Sequence, residues 1–145
     1  MKTKLIASLI LASLSFSANA DDWSDGSIRY NVGDTSVFSS INALNEYPRI
    51  DFMFHQPEKC TRENTLKEQV WRFNGQNVRM SVLCISYDKH NYTYASAESK
   101  RGSDFIADSF KKSSYVSIST AFYGEHKQTA KGFTVAWSTL GSEAL

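Results

Sequence analysis

The sequence predicts an α+β fold: mainly an antiparallel β-sheet or sandwich with two or three short helices. Three observations carry this. Several short runs alternate apolar and polar residues at a period of two, as half-buried strands do. Asn74-Gly75 stands between two long β-rich runs and marks a tight hairpin. Helical spacing of apolar residues appears only over short stretches, so helices are accessories to a sheet.

In chain order, Ser27 to Val32 is a strand, with Ile28, Tyr30 and Val32 on one face. Gly33-Asp34 breaks it. Val37, Phe38, Ile41 and Leu44 then recur at helical spacing behind Asp34, Thr35 and Ser36, which predicts a short capped helix. That helix must stop near Asn45, because Pro48 disfavours helical geometry at Tyr47. Ile50, Phe52 and Phe54 alternate with Asp51, Met53 and His55 as a second strand. Gln56 to Asn64 reads as a loop. Leu66 to Phe73 and Val78 to Tyr87 form the hairpin at the centre of the sheet, and Tyr92 to Ser96 returns as the next strand. Ser103 is placed to cap a helix carrying Phe105, Ile106 and Phe110, with Lys111 and Lys112 at its negative end. Tyr115 to Phe122 is a strand and Gly124 to Lys131 a polar connection. Phe133, Ala136, Trp137 and Leu140 repeat as a closing amphipathic helix, followed by Gly141. The sum is about six strands.

Residues 1–20 read as a secretory signal peptide: cationic Met1 to Lys4, the apolar run Leu5 to Phe16, and Ser17-Ala18-Asn19-Ala20 as the cleavage site. Residues 21–145 are then a single globular domain of about 125 residues, long enough to bury a core. Loss of Lys2 and Lys4 takes the charge from +1 to about −1, which argues against nucleic acid as a partner. No later apolar run is long enough to span a bilayer, and no cysteine follows the signal to carry a lipid anchor. The expected location is the periplasm, or outside the cell. Asn91-Tyr92-Thr93 fits an N-glycosylation acceptor, but the signal is bacterial in style.

Export places Cys60 and Cys84 in an oxidising space, so a disulfide is expected. It would pin the loop around Cys60 to the hairpin. A redox C-x-x-C pair is absent, and zinc needs more ligands than the sequence clusters, so neither metal nor cofactor is expected.

Asp51 and His55 share one face of a strand. A carboxylate beside an imidazole could orient a general base, which would make the chain a small hydrolase. The plainer reading is a polar, half-exposed strand face. His90 and His126 sit in a turn and a loop. No serine stands in G-x-S-x-G or S-x-x-K, so catalysis is not expected. The aromatics say more. Trp71, Phe73, Leu83, Ile85 and Tyr87 fall on one parity of their strands, while Val70, Val82 and Cys84 fall on the other. Either the sheet is covered on both sides or one side is a contact surface. The candidate partner-binding surface is Trp71, Phe73, Tyr87, Tyr92 and Tyr94.

The closing third of the mature chain carries a further pattern. Phe105-Ile106 opens a helix, Phe110-Lys111-Lys112 ends it, Tyr115-Val116-Ser117-Ile118 is a strand, and Lys131-Gly132-Phe133-Thr134-Val135-Ala136 follows. This order resembles exported bacterial proteins of the invasion-associated locus B type. A similar closing pattern occurs in some periplasmic accessory proteins of type VI secretion. The resemblance implies a small periplasmic or surface β-sandwich protein without established catalysis, linked to host-cell invasion. It implies no functional residues, and neither the Asn74-Gly75 hairpin nor the segment near Phe38 belongs to it.

The expected function is a non-enzymatic protein-binding or accessory role at the bacterial cell envelope. An immunity or inhibitor protein that neutralises an envelope-targeted toxin or wall hydrolase is the alternative.

Overall fold

A computed structural model describes residues 22–61 and 66–142. The expected signal peptide, residues 1–20, lies outside the described residues. The architecture is mainly antiparallel β with two helices. The strands are β1 (Ser27–Val32), β2 (Thr35–Asn42), β3 (Arg49–Phe54), β4 (Leu66–Phe73), β5 (Gln76–Tyr87), β6 (His90–Ala97), β7 (Tyr115–Thr120) and β8 (Gly124–Thr129). The helices are α1 (Lys100–Lys112) and α2 (Phe133–Ser142). All eight strands form one sheet in the order β1, β2, β3, β6, β5, β4, β7, β8. The sheet curls until its two edges face each other. There Tyr30 of β1 stacks on His126 of β8, with ring centroids 5.2 Å apart. No backbone ladder joins β1 to β8 among the described residues, so the barrel is nearly closed.

Register fixes what lies inside, because successive side chains on a strand point to opposite faces. Val37 pairs with Phe54, Phe52 with Ala95, Ala95 with Val82, and Trp71 with Val78. These residues are buried and form one continuous core. Its centre is aromatic. Trp71 lies 5.5 Å from Phe52 and 6.3 Å from Phe73, centroid to centroid, and all three are fully buried. Each such ring removes 150–250 Å² of surface from water, so this cluster dominates the stabilisation.

The Asn74-Gly75 hairpin is present, with both residues at positive φ (48° and 81°), as a two-residue turn between twisted strands requires. The same turn overturns the parity reading. It pairs Phe73 with Gln76 and Trp71 with Val78, so odd positions in β4 share a face with even positions in β5. Trp71 and Phe73 therefore point inward with Val78, Met80 and Val82, while Leu83, Ile85 and Tyr87 point outward.

Two segments differ from expectation. Val37 to Leu44 was expected as a helix; residues 35–42 are strand β2, with Val37 and Ser39 buried and Leu44 almost fully exposed. Ser39 in an inward position hides the alternation from a hydropathy reading. Gly124 to Thr129, expected as a connection, is edge strand β8, whose buried inward residue is Gln128 rather than an aliphatic one. These two strands account for eight where about six were expected.

Helix α1 starts earlier than expected. Ser99, not Ser103, is its N-cap and accepts a hydrogen bond from the Gly102 N–H at 3.1 Å. Ser103 is instead buried with Ile106, Ala107 and Phe110 on the face that packs against β3, β6 and β7. Lys111 and Lys112 lie in the last turn, where the helix dipole favours them. Helix α2 buries Phe133 against Phe110 and Trp23, at 5.1 and 5.0 Å. Trp23 ties the segment before β1 to the end of β8 by donating from Nε1 to the Thr129 carbonyl and from its backbone N–H to that of Lys131. Gly132 (φ 81°) must be glycine, because a Cβ there would lie 2.7 Å from the Trp23 carbonyl oxygen.

The expected disulfide is formed. Cys60 and Cys84 are joined with their Cα atoms 5.4 Å apart. The bond fastens the β3–β4 crossover to β5. Gln56 and Lys59, in the same crossover, donate to the Phe122 carbonyl at 3.1 and 2.7 Å and so hold the β7–β8 turn. A formed disulfide fits an oxidising compartment.

Candidate functional site

The convex side of the sheet carries an apolar row that the sequence reading only partly saw. Phe38 pairs with Met53, Met53 with Tyr94, Tyr94 with Leu83, and Leu83 with Leu66, so five strands contribute one side chain each to a continuous line. The next register places His55 beside Tyr92 (centroids 5.3 Å apart), and Tyr92 pairs with Ile85. Leu66 and Tyr87 are exposed by 65% and 72%, while Phe38, Met53, Leu83, Ile85, Tyr92 and Tyr94 are half-buried. None of these eight residues belongs to the core cluster or packs against it. Tyr87, Tyr92 and Tyr94 of the expected partner-binding surface lie on this outward face. Trp71 and Phe73, with no exposed surface, point into the core and do not belong to that face.

The charges on this face stand at its two ends: Arg29 at the β1 end and the exposed Glu68, on the same face of β4 as Leu66, at the other. Arg29 places its guanidinium 5.9 Å from the Phe38 ring centre, at the β1 end of the row. His55 and His90 sit with rings 5.6 Å apart. His55 Nδ1 is 2.8 Å from the Asn91 carbonyl oxygen. That oxygen can only accept, so Nδ1 is the donor of this contact. The one buried carboxylate nearby is already neutralised. Arg49 Nε donates to Asp51 Oδ1 at 2.8 Å, Asn42 donates to Oδ2 at 2.7 Å, and the Tyr94 hydroxyl donates to the same oxygen. Burial, and then hydrogen bonding to the Asp51 carboxylate, raise the Tyr94 hydroxyl above its ordinary phenol value.

This arrangement separates the pair offered as a hydrolase dyad. Both oxygens of Asp51 are engaged by Arg49, Asn42 and Tyr94, and Asp51 is 3% exposed. His55 lies just past β3, exposed, and turns to Asn91, His90 and Tyr92. Asp51 therefore orients Tyr94 rather than an imidazole. Among the described residues no group of three or more His, Cys, Asp or Glu side chains is placed to hold a metal. No helix among them is long and apolar enough to cross a membrane.

A second polar locus went unnoticed in the sequence because three of its four residues fall on the two misread strands. Tyr30, Ser39, His126 and Gln128 all point inward, and they meet along the seam where β1 faces β8. The Tyr30 hydroxyl lies 3.3 Å from His126 Nε2. Burial holds the Tyr30 and Tyr123 hydroxyls well above the usual phenol range; Ser39 and Tyr123 partly offset this for Tyr30, whereas Tyr30 adds to it for Tyr123. Burial also lowers His126 to about 4. All three rings are uncharged at neutral pH. No family of proteins, no curated protein and no solved structure matches this chain.

Proposed function

We propose that this is an exported periplasmic protein that acts without catalysis, seating a second envelope protein on the convex row of Phe38, Met53, Tyr94, Leu83 and Leu66. The observation that carries the reading is the row itself: a line of apolar side chains across five paired strands, outside the core. A patch of this kind rimmed by polar groups suits a protein interface. The partner this face fits is an apolar strip with carboxylates at one end. Arg29 supplies the cation there, and Asp51 is spent internally on Arg49 and so does not oppose an acidic group. The disulfide, the signal peptide expected over residues 1–20, and the resemblance of the closing third to invasion-associated locus B proteins support the compartment.

A photo-crosslinking amino acid at Leu83, compared with one at Val135 on the far helix, tests this in living cells. Val135 is 73% exposed and so at least as reachable as the half-buried Leu83. The expected result is one cross-linked protein from Leu83 only. Once identified by mass and purified, it should bind the chain 1:1, with affinity reduced by Ile85→Glu and made less salt-sensitive by Arg29→Gln. Equal cross-linking from both positions would overturn the reading. So would cross-linking to a second copy of this chain, or a purified complex that Ile85→Glu leaves intact.

A further inference from the structure

The two free edges of this sheet face each other, and the spacing between them is that of a missing strand. Among the described residues no ladder joins β1 to β8, and their Cα atoms stay more than 8 Å apart almost throughout. Paired strands lie about 4.8 Å apart, so a strand laid between two others separates them by about 9.6 Å. An open cleft of about 490 Å³ runs along the gap, with Tyr30 and Asn31 on one side and His126 and Lys127 on the other.

Alternation fixes which backbone groups look into the gap. The Gly26 carbonyl accepts from the Ile41 N–H, and Val32 pairs with Thr35 across a two-residue turn, so the even residues of β1 bond to β2. Arg29 and Asn31 therefore turn both N–H and C=O toward the gap. On β8, Ala130 donates to the Ser114 carbonyl, so the even residues bond to β7, and Glu125 and Lys127 face the gap. None of these four backbone N–H groups meets a partner among the described residues. Such an edge is a template for strand pairing.

One end of the gap already holds a short piece of strand. Asp25-Gly26 is a tight turn with both residues at positive φ, and it folds Ser24 back onto Ser27 through two hydrogen bonds of 3.0 Å. The preceding residue bonds to the other edge. Trp23 donates from its backbone N–H to the Lys131 carbonyl at 2.9 Å and from Nε1 to the Thr129 carbonyl at 3.1 Å. Trp23 and Ser24 thus bridge β1 and β8, running antiparallel to β1. The pairing goes no further: Asp22 turns its carboxylate to Lys131 at 3.1 Å and makes no backbone bond to Arg29.

The walls of the open stretch select what fits. Tyr30 stacks on His126 along its inner side, so the inward side chains of an added strand must be small. The same contact sets Arg29 across from Lys127. On the outer side Lys127 is exposed and has no carboxylate partner among the described residues, and its neighbour Glu125 accepts from Ser117 Oγ at 3.0 Å.

We propose that the β1–β8 gap takes up an extended segment of a partner protein, about four or five residues long, which completes the barrel as a ninth strand. It bonds to the main chain of Arg29, Asn31 and Lys127. It turns glycine, alanine or serine toward Tyr30 and His126 and sets a carboxylate against Lys127 on the outer side. In this mode main-chain bonds supply affinity and alternate side chains supply selectivity. The surface is separate from the convex row, whose five side chains stand on β2 to β6.

The probe is the peptide acetyl-Ala-Glu-Ala-Ser-Ala-amide, titrated into the ¹⁵N-labelled exported chain with amide exchange read residue by residue. Saturating peptide should slow exchange at Arg29, Asn31 and Lys127 by about tenfold or more. The same peptide N-methylated at alternate residues loses main-chain donors and should have no effect. Lys127→Gln should weaken the unmethylated peptide about threefold, the size of an exposed ion pair. Four results would overturn the proposal: exchange unchanged up to the solubility limit of the peptide, equal slowing by the N-methylated peptide, affinity indifferent to Lys127→Gln, or Arg29, Asn31 and Lys127 amides as protected as those of β5 before peptide is added. The last would mean that the gap is closed by β1 and β8 themselves or by a second copy of this chain.

Discussion

The β4–β5 hairpin and the β1–β8 seam follow one rule of alternation and come to opposite ends. At the hairpin, eight cross-strand pairs run from Leu66 and Leu83 to Phe73 and Gln76, and the inward residues Trp71, Phe73, Val78 and Met80 are almost wholly buried. At the seam, no ladder joins the strands among the described residues, and beside Ile28 the inward residues are Tyr30, His126 and Gln128, with Ser39 next to them on β2. One side of the barrel is held by backbone pairing over an aromatic core. The other is held by a ring stack, one long hydrogen bond and the Trp23 anchor. The first region is built for stability. The second buries polar groups that meet no hydrogen-bond partner among the described residues.

Changes on the hairpin side should have the largest effects. Trp71→Ala removes the largest fully buried side chain and should cost about 3–5 kcal/mol, a large fall in the urea midpoint followed by circular dichroism. Reducing the disulfide, or Cys60→Ser with Cys84→Ser, frees a loop spanning a sequence separation of 24 residues and should cost about 3.5 kcal/mol on the chain-entropy model.

At the seam the sign reverses. Gln128→Leu should stabilise the protein by about 1–2 kcal/mol, seen as a rise of several degrees in Tm. A fall in Tm would mean that the amide is satisfied in solution. His126 adds a pH dependence. Its folded pKa, about 4, lies below the 6.5 of a free imidazole, so the unfolded chain takes up the proton more readily. The contribution is complete above pH 6.5 and is lost as pH falls through about 4. Part of the ring is exposed, so the loss is on the order of 1 kcal/mol. Urea midpoints at pH 7, 5 and 4 should show it, and His126→Gln should flatten the profile. On the convex row, Leu83→Ser should change stability by less than about 0.5 kcal/mol while weakening partner binding.

How much was legible in the sequence divides along the same line. The Asn74-Gly75 turn, the alternation in Ile50, Phe52 and Phe54, and the spacing of Phe133, Ala136 and Trp137 all became the expected elements, because their buried positions are apolar and hydropathy reads them directly. Strands β2 and β8 were missed because Ser39 and Gln128 occupy inward positions. Without an apolar residue there, period two is invisible, and Val37, Phe38 and Ile41 imitate a helix by accident of spacing. One of the residues that concealed those strands, Gln128, also lies at the seam. The convex row was half legible: Tyr87, Tyr92 and Tyr94 were chosen for their chemistry. Trp71 and Phe73 were assigned to the wrong face, because which parities match across a hairpin depends on the turn's pairing register and not on residue number. Phe38 and Met53 join the row only through the β2–β3 and β3–β6 pairings, which no local pattern reveals.

Native-state hydrogen exchange, resolved by residue, tests the contrast between the two sides most directly. Amides of β5 and β6 should exchange only through global unfolding, while those of β1 and β8 facing the seam should exchange through local opening at a free energy at least about 2 kcal/mol lower. Equal protection across all eight strands would mean that the barrel is closed in solution, and that the seam is neither its weak side nor a cleft.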